Sequence, residues 1–228
     1  MGSINGVHHL AVSTSDIKAQ IAYFSDVLGM ELVALYWMHG VEGAWHGFMK
    51  LNDSCSVAFV QTPEMKDIPH ELGKTHAGNP GAPSAGGTMQ HLAFNVSTRA
   101  ELLTMRDRIR SRGVPVMGPI DHGMCTSIYF AGIEDMALEV STSECAIDGN
   151  AWIDPEVVQL AGISAEELQR FRRPATFERP AKPVPQPALD GPGPHMAYPP
   201  AAYKSLLGMS DDELNRRMSV VDPPVKVA

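Results

Sequence analysis

Val7-His8-His9-Leu10-Ala11-Val12, near the start of the chain, returns as Met89-Gln90-His91-Leu92-Ala93-Phe94. Each copy runs into a helix-like stretch that stops at a glycine: Gly29 follows His9 by 20 residues, and Gly113 follows His91 by 22. A segment repeated with its histidine in the same place predicts two similar modules, each with one imidazole at an equivalent point.

Strand parity decides which side chains share a surface, because successive residues on a strand point to opposite faces. In the second copy Leu92, Phe94 and Val96 make the apolar face, and His91, Ala93 and Asn95 share the other. The first copy registers in the same way. Leu10 and Val12 go to the core with His8 beside them, and His9, Ala11 and Ser13 line the opposite surface. Late in the chain Met136, Leu138 and Val140 form an apolar series, which turns Ala137, Glu139 and Ser141 to the other side. A carboxylate centred in an otherwise apolar strand is costly unless it is paired or bound to a cation. Two histidines and one carboxylate make the facial set that holds a divalent metal and leaves coordination positions open. His9, His91 and Glu139 are therefore the expected metal ligands.

Organisation follows from the repeat. The first module, 1–62, is expected to hold a strand at 7–12, a helix near 16–28 capped by Ser15 or Thr14, and three strands between 30 and 61. Residues 63–87 form a linker ending in a run rich in glycine and proline. The second module, 88–144, carries a helix near 99–112 with Thr98 as its cap and an arginine-rich, solvated face. Residues 145–228 are a C-terminal extension. It has a helical stretch near 155–171 containing the capping-box-like Ser164-Ala165-Glu166-Glu167, then a proline-dense arm over 174–200, then a short helix opened by Ser210.

Composition bounds the partners. With 228 residues and 44% hydrophobic content, the chain buries one substantial core built from two modules. A formal charge of −8 and a pI near 5.5 argue against nucleic acid or an anionic membrane as the main partner. No apolar run approaches the roughly 20 residues needed to span a bilayer, and the amino terminus lacks the basic-then-apolar order of a signal peptide. Cys55, Cys125 and Cys145 have no metal-ligand spacing and read as reduced thiols. A cytoplasmic protein is expected. Apolar residues of the tail, Met196, Tyr198, Tyr203, Leu206 and Leu207 among them, suggest an arm laid across a second copy in a homodimer or higher homo-oligomer.

The modules resemble the βαβββ units of the vicinal oxygen chelate superfamily, which includes glyoxalase I, fosfomycin-resistance proteins, methylmalonyl-CoA epimerase and the type I extradiol dioxygenases. The likeness covers about residues 4–144. It rests on His9 with Ser15-Asp16, Tyr23-Phe24 and Leu28-Gly29, then His91, then Ser127-Ile128-Tyr129-Phe130 leading to Glu139. It implies an α+β fold of two paired βαβββ modules, forming a cup-shaped mixed sheet around a metal, followed by the proline-rich arm. Glyoxalase-like isomerases add a fourth ligand from the first module. The equivalent strand here offers Ser56, Ala58 and Val60, with Gln61 reaching the metal only after a register shift.

A three-ligand site suits a vicinal diol plus O2 at Fe(II), so the resemblance points to extradiol cleavage of a catechol-like aromatic. Tyr129 resembles the tyrosine that such enzymes place near the bound substrate oxygen. His122 resembles their loop histidine for proton transfer, and His76 in the linker is second to it. His39, His46 and His70 rank lower. The alternatives are a metal-dependent isomerase, epimerase or lyase using Mn, Zn, Ni or Mg, and a non-catalytic binding protein of the bleomycin-resistance kind. Retention of all three ligands argues against the last.

Overall fold

A computed structural model describes residues 4–226. The chain clusters into two compact units, one from Asn5 to Gly162 and a second that begins again at Ile163. The first unit contains both repeats. Its first module is β1 (His9–Ser13), α1 (Ile17–Asp26), β2 (Glu31–Trp37), β3 (Trp45–Asn52) and β4 (Cys55–Gln61). Its second is β5 (Leu92–Asn95), α2 (Arg99–Ser111), β6 (Val116–Asp121), β7 (Thr126–Ala131) and β8 (Ala137–Thr142). Two four-stranded mixed sheets result, ordered β1-β4-β3-β2 and β5-β8-β7-β6. In each the first and last strands pair in parallel and the remaining pairs are antiparallel. The fold is α+β with two βαβββ modules, as the repeat predicts.

Both helices end where the repeat placed its glycines, and the reason is backbone conformation. Gly29 and Gly113 have φ of 80° and 81°, the left-handed region that stops a helix and favours a residue without Cβ. At Gly29 a Cβ would also lie 2.7 Å from the Arg108 guanidinium. That arginine reaches across from α2 and donates to the backbone carbonyls of Val27 at 2.9 Å and Asp26 at 3.3 Å. A cation at these free carbonyls complements the negative end of α1. Arg108 is thus a link between modules rather than part of a solvated face.

The start of α1 corrects the expected cap. Asp16, not Ser15 or Thr14, accepts from Ala19 N at 3.0 Å. Ser15 and Thr14 are committed elsewhere, to Glu134 in the turn between β7 and β8. Thr14 Oγ1 donates to Glu134 at 2.6 Å, Ser15 donates through N at 2.8 Å and Oγ at 2.5 Å, and Gln20 Nε2 donates at 2.8 Å. Burial pushes the Glu134 carboxyl up, but these donors together outweigh it and hold the group below its ordinary value. A carboxylate lowered by folding stabilises the fold above its unfolded pKa of about 4.3, and that contribution is lost as pH falls through the lowered value. The melting-temperature gap between wild type and Glu134→Gln is therefore expected to be widest near pH 6 and to shrink toward pH 3. A gap independent of pH would remove the charge from this account.

One apolar cluster spans both modules. Phe24 of α1 packs edge-on against Phe59 at 4.8 Å and contacts Phe94 of the other module at 6.2 Å between ring centroids. Leu102 and Ile109 of α2 close on Ile128, Leu138 and Val140. Fully buried side chains of this kind contribute about 1.5–3 kcal/mol each, so the core fixes which face of each sheet remains for polar residues. Thr98 caps α2 in a reciprocal box with Glu101, as expected.

Beyond β8 come α3 (Gly149–Trp152) and α4 (Pro155–Leu160), both within the first unit. The second unit holds α5 (Ala165–Arg172), α6 (Pro200–Leu207) and α7 (Asp211–Met218). The single helix expected over 155–171 is two helices, because Gly162 takes φ of 70° and Ser164 starts a new cap. Residues 174–199 carry no helix or strand. α6 was not foreseen; Pro200 stands at its first position, where a missing N–H costs nothing. Among the described residues no helix is long and apolar enough to cross a membrane.

Candidate functional site

Glu139 lies in the middle of β8, opposite Tyr129 on β7 and beside Ala93 on β5. Its neighbours Leu138 and Val140 enter the core, and Glu139 itself is 6% exposed on the opposite face. His91 immediately precedes β5, and its Nε2 stands 2.9 Å from Glu139 Oε2. Its Nδ1 meets the Gln90 side-chain oxygen. Tyr129 is the cross-strand partner of Glu139, and its hydroxyl lies 2.9 Å from His122 Nε2. Burial, with the Glu139 charge beside it, holds the Tyr129 phenol above its ordinary value, so the hydroxyl is protonated at neutral pH. His122, Tyr129, Glu139 and His91 therefore form one polar row across the second sheet.

The row is braced at His122 and again beside Tyr129 and Glu139. His122 sits in the β6–β7 hairpin turn, where its N–H donates to Cys125 O at 2.8 Å. Gly123 follows with φ of 82°, and the Trp152 ring of α3 occupies the space a Cβ would need. Ser127, fully buried, shares a 2.9 Å hydrogen bond with Ser141.

His9 occupies the face that parity assigned to it, alternating with half-buried Leu10 and Val12 on β1. As it stands, its Nδ1 lies 2.9 Å from His8 Nδ1, and its ring contacts Phe48 at 5.6 Å and His46 at 6.4 Å. The structure thus brings His91 and Glu139 together and turns His9 toward His8. Among the described residues no three His, Cys, Asp or Glu side chains are gathered to hold a metal. The donor chemistry nonetheless fits a divalent cation. Glu139 is a buried carboxylate whose nearest counter-charge is an imidazole, an arrangement that a cation relieves. Gln61 does not serve as a further donor, because its amide oxygen accepts from Ile17 N at 2.7 Å.

Contacts between modules set the relation of His9 to this pair. β2 runs parallel to β1 by the pairing order, so α1 runs back along β1. Thr14, five residues past His9, binds Glu134, which lies five residues before Glu139. Further back along α1, the Tyr23 hydroxyl donates to the carbonyl of Ala131, the residue that pairs with Ala137 of β8.

His46, ranked lower from the sequence, lies on β3. Alternation along β3 puts His46 and Phe48 opposite Val60 and Ala58, on the face of His9. The Tyr36 and Phe48 rings stack with centroids 6.3 Å apart and planes 8° from parallel, and the His46 ring packs on Phe48 at 4.5 Å. His46 Nε2 is buried and has no hydrogen-bond partner among the described residues. Burial, and then the nearby His9, hold the His46 imidazole below its ordinary value.

His76 belongs elsewhere. With His70 it borders a cavity of about 500 Å³ that none of His9, His91, His122, Tyr129 or Glu139 lines.

Residues 6–137 match the family model of the Glyoxalase/Bleomycin resistance protein/Dioxygenase superfamily. Over 122 residues the chain is 28% identical to biphenyl-2,3-diol 1,2-dioxygenase 2 of Rhodococcus globerulus, covering 54% of each protein. Over 138 residues it is 22% identical to biphenyl-2,3-diol 1,2-dioxygenase 3 of the same organism, covering 60% of this chain and 63% of that one. The chain therefore spans between half and two thirds of the length of these relatives. A glyoxylase/bleomycin resistance protein/dioxygenase domain from Frankia sp. EAN1pec aligns with a TM-score of 0.48 at 13% identity, over 62% of this chain and 99% of that structure.

Proposed function

This chain belongs to the glyoxalase/bleomycin resistance protein/dioxygenase superfamily, and from that premise we propose that it is a non-haem Fe(II) dioxygenase of the extradiol type, opening the ring of a catechol-like aromatic with O2. The observation that carries this reading is the row His122–Tyr129–Glu139–His91, which joins a metal-type donor pair to a phenol and a second imidazole.

In this reading His9, His91 and Glu139 hold the iron. The equal offsets of His9 and Glu139 from the Thr14–Glu134 contact support including His9, as does the Tyr23–Ala131 bond, which follows the same direction along both sheets. To join His91 and Glu139 the His9 ring would have to turn away from His8. Iron in this position supplies Lewis acidity toward the two diol oxygens and one-electron exchange with O2.

The chain supplies the rest. Protonated Tyr129 donates to the substrate oxygen nearest Glu139 and fixes the ring's rotation. His122 takes a proton through Tyr129 and returns it to the opened product. The Tyr36–Phe48 stack offers a flat wall to a planar ring.

Anaerobic purification, metal analysis and an oxygen-uptake screen over a panel of catechols test the reading. Iron with uptake is expected. Zinc or nickel with isomerase activity would replace it by the isomerase alternative. A homodimer is part of the proposal, since Phe171, Phe177, Met196 and Tyr198 are exposed and a second copy offers them cover. Sedimentation as a monomer at micromolar concentration would remove that part.

A further inference from the structure

The cavity beside His76 has a chemistry of its own. It lies at the end of β1, against the loop that follows β4 and the β7–β8 turn, and its volume of about 500 Å³ is that of a small-ligand site. The acceptors on its wall are already used. Both Glu134 oxygens are engaged by Thr14, Ser15 and Gln20, and Asp135 beside it holds His70 Nε2 at 3.0 Å.

What remains is donors. Among the described residues Lys66, on the cavity wall, has no ion pair or hydrogen bond. His76 is anchored by Nδ1 to Thr75 Oγ1 at 3.0 Å, with its ring edge-on to His70 at 5.6 Å, and its Nε2 has no partner among the described residues. Ser13 adds a hydroxyl with no partner among the described residues. The remaining wall is apolar, chiefly Met65 and Ile68. A ligand that completes these contacts must bring acceptors, a negative charge and an apolar body.

We propose that this cavity binds a small organic acid, with its carboxylate met by Lys66, His76 and Ser13 and its apolar part laid on Met65 and Ile68. The site is independent of any metal. Its carboxylate has two possible sources, the far end of an acidic substrate or a separate acid. Ser13 is four residues along β1 from His9 on the same face, roughly 13 Å away, so only an elongated substrate reaches both.

Calorimetric titration of the full chain with 4-phenylbutyrate tests the proposal. One saturable site is expected, weakened roughly tenfold in Lys66→Ala and in His76→Ala, the loss of one charge-assisted hydrogen bond. Glu139→Gln should leave it unchanged. Absence of saturable binding at millimolar concentration would overturn the proposal, and so would binding abolished by Glu139→Gln but kept in Lys66→Ala. Turnover separates the sources. If Lys66→Ala raises KM for a catechol with an acidic side chain and not for catechol itself, the acid is the end of the substrate. If neither KM moves while 4-phenylbutyrate binding weakens, the acid is a separate ligand, and either result keeps the site.

Discussion

Replacing Glu139 with alanine is expected to strip the bound metal and abolish turnover together. The side chain is the only carboxylate on the polar face of β8, it stands 2.9 Å from His91, and the parity that exposes it there also sends Leu138 and Val140 into the core. Loss of a hydrogen-bond partner to a metal ligand weakens metal binding by about 10–100-fold, so loss of a ligand should exceed that range. His91→Ala should behave alike. So should His9→Ala, although His9 turns toward His8. Metal content after dialysis of each variant is the readout, with circular dichroism confirming the fold. Full occupancy in Glu139→Ala would reject the donor set, and full occupancy in His9→Ala alone would reduce the set to two.

Tyr129→Phe and His122→Phe should separate metal binding from catalysis. Neither residue is a proposed donor, yet the 2.9 Å contact between them and the pairing of Tyr129 with Glu139 place both beside the His91–Glu139 pair. Each variant is expected to keep wild-type metal content while kcat falls by about 10²–10⁴, the range for a lost proton-transfer group. Tyr129→Phe retains the ring packing and removes only the oxygen, so a stable, metal-replete and inactive variant would isolate the hydroxyl. Unchanged kcat in either variant would reduce that residue to a structural role.

Much of this was legible in the chain because period-two alternation is a strong constraint. The core positions of Leu138 and Val140, the inward turn of Glu139 and the pairing of Tyr129 with Glu139 all follow from counting residues along strands. The repeat likewise announced Gly29 and Gly113, since both satisfy the same left-handed backbone requirement. Contacts between distant segments were not legible. Glu134 takes Thr14 and Ser15 away from the helix cap, and Arg108 leaves its own helix face for the end of α1, each through a partner far away in sequence. The face of His46 was within reach of the same parity argument, through its neighbours on β4.

The central claim is that the chain couples O2 to the cleavage of an aromatic diol, and the stoichiometry of that coupling tests it most directly. Iron-loaded protein, prepared without air and mixed with a catechol it turns over, should consume one O2 for each ring lost, with oxygen electrode and absorbance traces keeping step. Substrate conversion with no oxygen consumed, or oxygen uptake that leaves the ring absorbance intact, would contradict the account.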